Sequence, residues 1–152
     1  ISKKFERDYI STIGVNILIK DIKVDLVGTQ YEIQLMFWDI GGQERYTNVR
    51  HMFYKGANGA IVVYDTTRPN TLLQIPEYLD DLEKYLGKKI PFIILGNKID
   101  LIDLYRVPRE NAEKLKETTG ALAFYETSAK TGKCVEDSFK IIANACMKNA
   151  LE

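Results

Sequence analysis

The chain has 152 residues, 45% hydrophobic and 28% charged, an ordinary globular balance that argues against a disordered chain and fits one domain with a sizeable core. Lys plus Arg and Asp plus Glu both number 21, so no net field favours nucleic acid or an anionic membrane surface. Cys134 and Cys146, the two cysteines, match no metal-site spacing and read as reduced thiols of a cytoplasmic protein, and no apolar run reaches the ~18 residues of a membrane span.

Residues 16–27 alternate apolar and polar, with Ile17 and Ile19 followed by Ile22, Val24 and Leu26. The alternation slips by one near Lys20 and Asp21, which reads as a β-bulge. Gly28 and Thr29 punctuate, and residues 31–39 carry Ile33, Leu35 and Phe37 on one face, the second arm of an antiparallel hairpin. Residues 60–64 and 91–95 are continuous apolar runs instead, as strands buried on both faces require, and 122–125 is a weaker third case.

Helical patterns lie between these strands. Leu72, Ile75, Leu79, Leu82 and Leu86 repeat at three and four, with Pro76 marking either a start or a bend. Residues 108–119 open on Pro108 and stop before Gly120, which suits a helix. Val135, Phe139, Ile142, Ala143 and Cys146 form the inward stripe of a last helix. Buried strands alternating with helices predict an α/β domain with a mostly parallel sheet, one antiparallel hairpin strand and helices on both faces. Ligands of such sheets bind beyond the carboxyl ends of the strands.

Four segments carry candidate chemistry. Ser11-Thr12-Ile13-Gly14 reads as strand entry, or as a loop whose Thr joins a metal ion and a phosphate. Asp39-Ile40-Gly41-Gly42-Gln43-Glu44 reads as a Gly-Gly turn, or as a metal-holding Asp followed by glycine N–H groups for a phosphate and a Gln that orients water. Asn97-Lys98-Ile99-Asp100 is a polar loop, or a base reader in which Asp100 accepts two N–H bonds from a guanine edge, a pair that adenine does not offer. Glu126-Thr127-Ser128-Ala129-Lys130 is a helix N-cap, or a small-residue loop whose N–H groups approach a base carbonyl.

In this order and spacing the four segments resemble the signature of the Ras-superfamily small GTPases, from residue 1 to about residue 148. Gln43-Glu44-Arg45-Tyr46, then Tyr54-Lys55-Gly56-Ala57 and Val62-Val63-Tyr64-Asp65, are most similar to the Rab family, whereas Gly41-Gly42 is more like Arf proteins. The resemblance implies a P-loop NTPase-like small G domain over residues 1–150, with Leu151 and Glu152 read as a cloning scar. It implies GTP or GDP with Mg²⁺ as ligands and slow GTP hydrolysis. Phe5, seven residues before Thr12, would set an aromatic edge against the guanine. Thr12 and Asp39 would serve Mg²⁺, Thr12 and Gly42 the γ-phosphate, and Gln43 the attacking water. Asn97, Lys98 and Asp100 would select guanine with Ser128, Ala129 and Lys130. Ile17, Trp38 and Phe53 match the patch through which Rab-like proteins meet effectors, with exchange factors and activating proteins as further partners. A membrane would be reached only through a lipidated tail. His51, without an Asp or Ser partner pattern, reads as a packing or solvent-facing residue.

The phosphate-binding pattern G-x-x-x-x-G-K-[ST] occurs nowhere in the 152 residues. In the resembling family it lies upstream of the segment matching Ile1 to Phe5, so a preceding strand and loop outside this sequence are expected. The competing expectation is a degenerate GTPase-like interaction module that binds no nucleotide.

Overall fold

The computed structural model describes residues 15–41 and 50–151. In chain order the described elements are β1 (Val15–Leu26), β2 (Thr29–Ile40), a 3-10 turn (His51–Phe53), β3 (Ala60–Asp65), α1 (Pro69–Leu73), α2 (Ile75–Leu86), β4 (Phe92–Asn97), α3 (Arg109–Thr119), β5 (Phe124–Glu126) and α4 (Val135–Leu151). The expected α/β architecture is present. β3, β4 and β5 form a parallel sheet with β4 in the middle, and β1 and β2 form an antiparallel hairpin.

Side chains of the central strand alternate between two cores, as a strand covered on both faces must. Ile94, with Tyr64 and Phe124 from its neighbours, packs under Leu72, Ile75, Leu79, Ala112 and Leu115 of α1, α2 and α3. Ile93 and Leu95 face the other way, onto Ile142 of α4. Ile93 and Ile94 are fully buried, each contributing about 1.5–3 kcal/mol of transfer free energy. Helix α4 also covers the hairpin. Phe139 and Ala143 pack with Ile22 and Val24, and Ile61 of β3 joins that cluster. The Phe37 and Phe139 rings lie 4.9 Å apart.

Helix boundaries follow local chemistry. Pro76 occupies the first turn of α2, where its missing N–H costs nothing, so it starts this helix and does not bend a longer one. Gly87 and Gly120, at φ 65° and 76°, end α2 and α3 in the left-handed conformation. Cys146 packs against Gly59, and its thiol donates to the Asn58 carbonyl at 3.4 Å. Burial pushes that thiol up from its ordinary pKa, so it stays protonated.

The expected bulge in β1 is absent. Pairing runs one-for-one from Val15↔Ile40 to Leu26↔Thr29, with Lys20↔Leu35 and Asp21↔Gln34 in step. The slip in the apolar pattern is a change of face instead. Ile22, Val24 and Leu26 point to the core, while Ile17 and Ile19 point outward and are about half exposed. The turn is Val27-Gly28, one residue earlier than the Gly-Thr pair suggested, and both residues have positive φ (53° and 78°).

Candidate functional site

Three parallel strands end side by side, and their carboxyl ends carry the polar residues. The register sets Asp65 of β3 opposite Asn97 of β4, and Gly96 of β4 opposite Glu126 of β5. The loop from Asn97 to Asp100 therefore leaves the sheet between two neighbours, and both hold it.

From the β5 side, Asn97 Oδ1 accepts the Ala129 N–H at 3.0 Å and the Thr127 hydroxyl at 3.3 Å. The Ser128 hydroxyl donates to Asp100 Oδ1 at 2.6 Å, and its oxygen accepts the Thr131 N–H at 3.1 Å. Thr127 and Ser128 are buried, so these bonds are shielded from water competition. Ser128 is not a helix N-cap, since α4 begins only at Val135 and Ser128 lies in the turn before it. Asp100 Oδ2 has no protein partner among the described residues. The carboxylate is thus fixed at one oxygen and able to accept at the other.

From the β3 side, Thr66 donates both its N–H, at 3.0 Å, and its hydroxyl, at 2.9 Å, to the Asn97 carbonyl. Lys98 Nζ lies 2.7 Å from Asp65 Oδ2. Burial would raise the Asp65 pKa, but hydrogen bonds from Lys98 and Thr67 together with the Lys98 charge outweigh it and hold the carboxyl below its ordinary value. Lys98 has φ 74°, a left-handed conformation costing about 1–2 kcal/mol in a non-glycine residue and persisting only where surrounding bonds enforce it.

Sequence reasoning missed Asp65 and Thr66. Their signal was a polar pair closing a buried strand in parallel register with the Asn97 loop, which only strand pairing brings to notice. Glu126 plays a different part. Its carboxylate accepts Arg106 Nη2 at 3.3 Å and Arg109 Nη1 at 3.1 Å, so it fastens β5 to the start of α3 and the segment just before it. Ala129 and Lys130 are exposed beside the loop.

Asp39 is an exposed carboxylate next to the last residue of β2, and buried Gly41 follows. Phe5, Thr12, Gly42 and Gln43 lie outside the described residues. The patch expected from Ile17, Trp38 and Phe53 is contiguous. Ile17 is the cross-strand partner of Trp38, and the Trp38 and Phe53 rings are 5.9 Å apart. Ile19 and Met36, the next outward-facing pair along the hairpin, extend it; both are exposed and neither was assigned to the patch from the sequence. His51 packs its ring 5.3 Å from that of Tyr85, a packing role as expected.

The Ras family pattern matches residues 1–148. The chain belongs to the Ras family. Among its relatives is Ras-related protein RABA4b of Arabidopsis thaliana, 40% identical over 139 residues, 91% of this chain and 60% of that protein. Ras-related protein Rab-1 of Theileria annulata is 38% identical over 93% of this chain and 62% of its own length. Ras-related protein Rab7 of Drosophila melanogaster is 34% identical across 100% of this chain and 71% of its own. The chain is therefore a Rab-like Ras-family G domain that spans about three fifths of the length of the first of these relatives. No helix among the described residues is long and apolar enough to cross a membrane.

Proposed function

We propose that this Ras-family protein is a guanine-nucleotide switch that hydrolyses GTP slowly to GDP and phosphate and directs trafficking through partners that recognise its nucleotide state. The observation that carries the reading is the fixed Asp100 carboxylate, with Oδ1 held by Ser128 and Oδ2 able to accept from a base edge. Guanine presents adjacent N–H donors to such an acceptor, and adenine does not. Asn97 braces the loop, Lys98 flanks the ring, and the exposed Ala129 and Lys130 border the base.

Asp39 fits Mg²⁺. A single exposed carboxylate suits a hard cation that prefers oxygen, keeps several waters and takes further ligands from phosphates. When bound, Mg²⁺ supplies charge neutralisation at the phosphates. Thr12 would add its hydroxyl to the same ion and the γ-phosphate, and Gly42 its N–H. Gln43 would orient the water whose oxygen attacks the γ-phosphorus as the bond to the β-phosphate oxygen breaks. Phe5 would edge the guanine. These four assignments rest on motif position. The motifs include no arginine at an internal catalytic position, so an activating protein would supply the rate.

Effectors would dock on Ile17, Trp38 and Phe53, and exchange factors and activators on the neighbouring switch segments. The protein would work in the cytoplasm, peripheral on a membrane where a lipidated tail anchors it. The test is to denature purified protein and identify released nucleotide by chromatography. About one GDP or GTP per chain supports the switch. Adenine nucleotide overturns the role of Asp100. No nucleotide, from folded protein prepared with Mg²⁺, favours an interaction module.

A further inference from the structure

Lys98 does not stand by itself in its loop. Its ammonium meets Asp65 Oδ2 at 2.7 Å, and Asp65 comes from a different strand, 33 residues earlier in the chain. The Asp65 side chain is 11% exposed and that of Lys98 37%, so the pair is partly shielded from solvent. Asp65 is itself immobilised. Its Oδ1 accepts the Thr67 N–H at 2.9 Å and the Thr67 hydroxyl at 2.7 Å, leaving Oδ2 for the lysine. Its backbone N–H donates to Thr71 Oγ1 at 2.9 Å. The left-handed backbone of Lys98 turns its side chain out of the line of β4, and the two Thr66 bonds to the Asn97 carbonyl fix the residue just before that turn.

We propose that Asp65 is a positioning residue of the base site: its carboxylate anchors the Lys98 ammonium, so that Lys98 offers a bound guanine its hydrocarbon stem and not its charge. The inference rests on the nucleotide-switch reading above and adds a residue to it. An ammonium fixed at its tip leaves four methylenes stretched in one path, a rigid rail where a free lysine would sample many rotamers. Ordering that stem before binding removes an entropic cost that a loose side chain would carry at the moment of association. Ser128 does the equivalent for Asp100, so Lys98 and Asp100 are each held by a hydrogen-bonding side chain from a flanking segment.

Two readouts on the full chain test it. Affinity and release rate of a fluorescent GDP analogue are measured for the wild type, Asp65→Asn and Asp65→Glu. Acylation of Lys98 by an amine-reactive ester is followed by mass spectrometry on nucleotide-free protein of each. Asn keeps the size of the side chain and an acceptor for Thr67 but loses the charge, whereas Glu restores the charge. The expected result is GDP affinity weakened about tenfold in Asp65→Asn, mostly through faster release, the size of a lost charge-assisted hydrogen bond. Lys98 acylation rises severalfold in the same variant, and Asp65→Glu recovers most of both. A structural role would lower the melting temperature without changing Lys98 reactivity. If wild type binds GDP and Asp65→Asn binds it equally, or if Lys98 acylates at one rate in all three, the positioning role is overturned and the switch reading stands. If wild type binds no GDP, the switch reading falls and this inference falls with it.

Discussion

The Ser128 hydroxyl donates to Asp100 Oδ1 at 2.6 Å, tying the turn after β5 to the loop after β4 across 28 residues of sequence. Ser128 is buried and Asp100 only partly so, which makes the hydroxyl a fixed support and the carboxylate a presented group. Removing the hydroxyl leaves the carboxylate to find its own orientation. Ser128→Ala is expected to weaken GDP binding by about tenfold, the effect of one charge-assisted bond, while the melting temperature falls by only a few degrees. Parallel calorimetric titration and thermal melts check it; equal loss in adenine and guanine nucleotide binding would disconnect Ser128 from base selection.

The hairpin turn carries a correctable strain. Val27, a β-branched residue, has φ 53° in a two-residue turn whose first position prefers Asn, Asp or Gly. Its side chain is fully exposed, so it loses no packing on replacement. Val27→Asn is expected to stabilise the fold by about 1 kcal/mol. Denaturant unfolding should show a higher midpoint with an unchanged slope.

Tyr64 and Gly96 are matched across β3 and β4. A Cβ on Gly96 would lie 2.6 Å from the Tyr64 hydroxyl oxygen and 2.8 Å from its ring carbon Cζ. The Tyr64 hydroxyl is buried with no hydrogen-bond partner among the described residues. Tyr64→Phe is therefore expected to be neutral or to stabilise by about 1 kcal/mol, since it removes an unsatisfied polar atom. Gly96→Ala is expected to cost about 2–3 kcal/mol through overpacking. Because the ring carbons remain close after the oxygen is gone, the double variant should recover only part of that cost. A double-mutant cycle by chemical denaturation measures the coupling.

Opposite pH limbs follow from the shifted groups. Asp65 is held below its ordinary pKa in the fold, so its contribution is fully present above the unfolded carboxyl value of ~3.9 and is lost as pH falls through the lower folded value. Stability from this group should be level from neutral pH to about 5 and decline only below about 4, and Asp65→Asn should flatten that decline. Tyr54 and Tyr64 move the other way, each pushed up to about 12. Burial is the main cause in both, with Asp81 adding to it at Tyr54 and Glu126 at Tyr64 against nearby arginines. The unfolded chain loses these protons near pH 10, so stability is present below 10 and drains away between about 10 and 12. Unfolding followed by phenolate absorbance should show these two rings ionising together with the alkaline transition, and Tyr64→Phe should move it upward.

The order of strands and helices, the buried character of β4 and the ends of α2 and α3 were legible in the chain itself, whereas β3, also expected to be buried on both faces, has only Tyr64 buried and Val63 about half exposed among the described residues. Each legible feature depends on neighbours within a few residues: a run of Ile and Leu, a Pro in a first turn, a Gly just past a last turn. The Asn97–Asp100 loop was legible for the same reason, as was its order relative to Ser128. Tertiary structure decided what lies between segments. Whether the slip at Lys20 was a bulge or a change of face depended on the partner strand, because a strand's alternation shows two faces but not which of them α4 covers. Asp65 stood in the sequence only as the end of a Rab-like string, with no role at the site, because a carboxylate after an apolar run gains such a role only when parallel pairing sets it beside Asn97 and within reach of Lys98. Periodicity and turn chemistry are properties of the local backbone, whereas the clamps on Asn97, Lys98 and Asp100 arise where distant strand ends meet, and only folding brings those ends together.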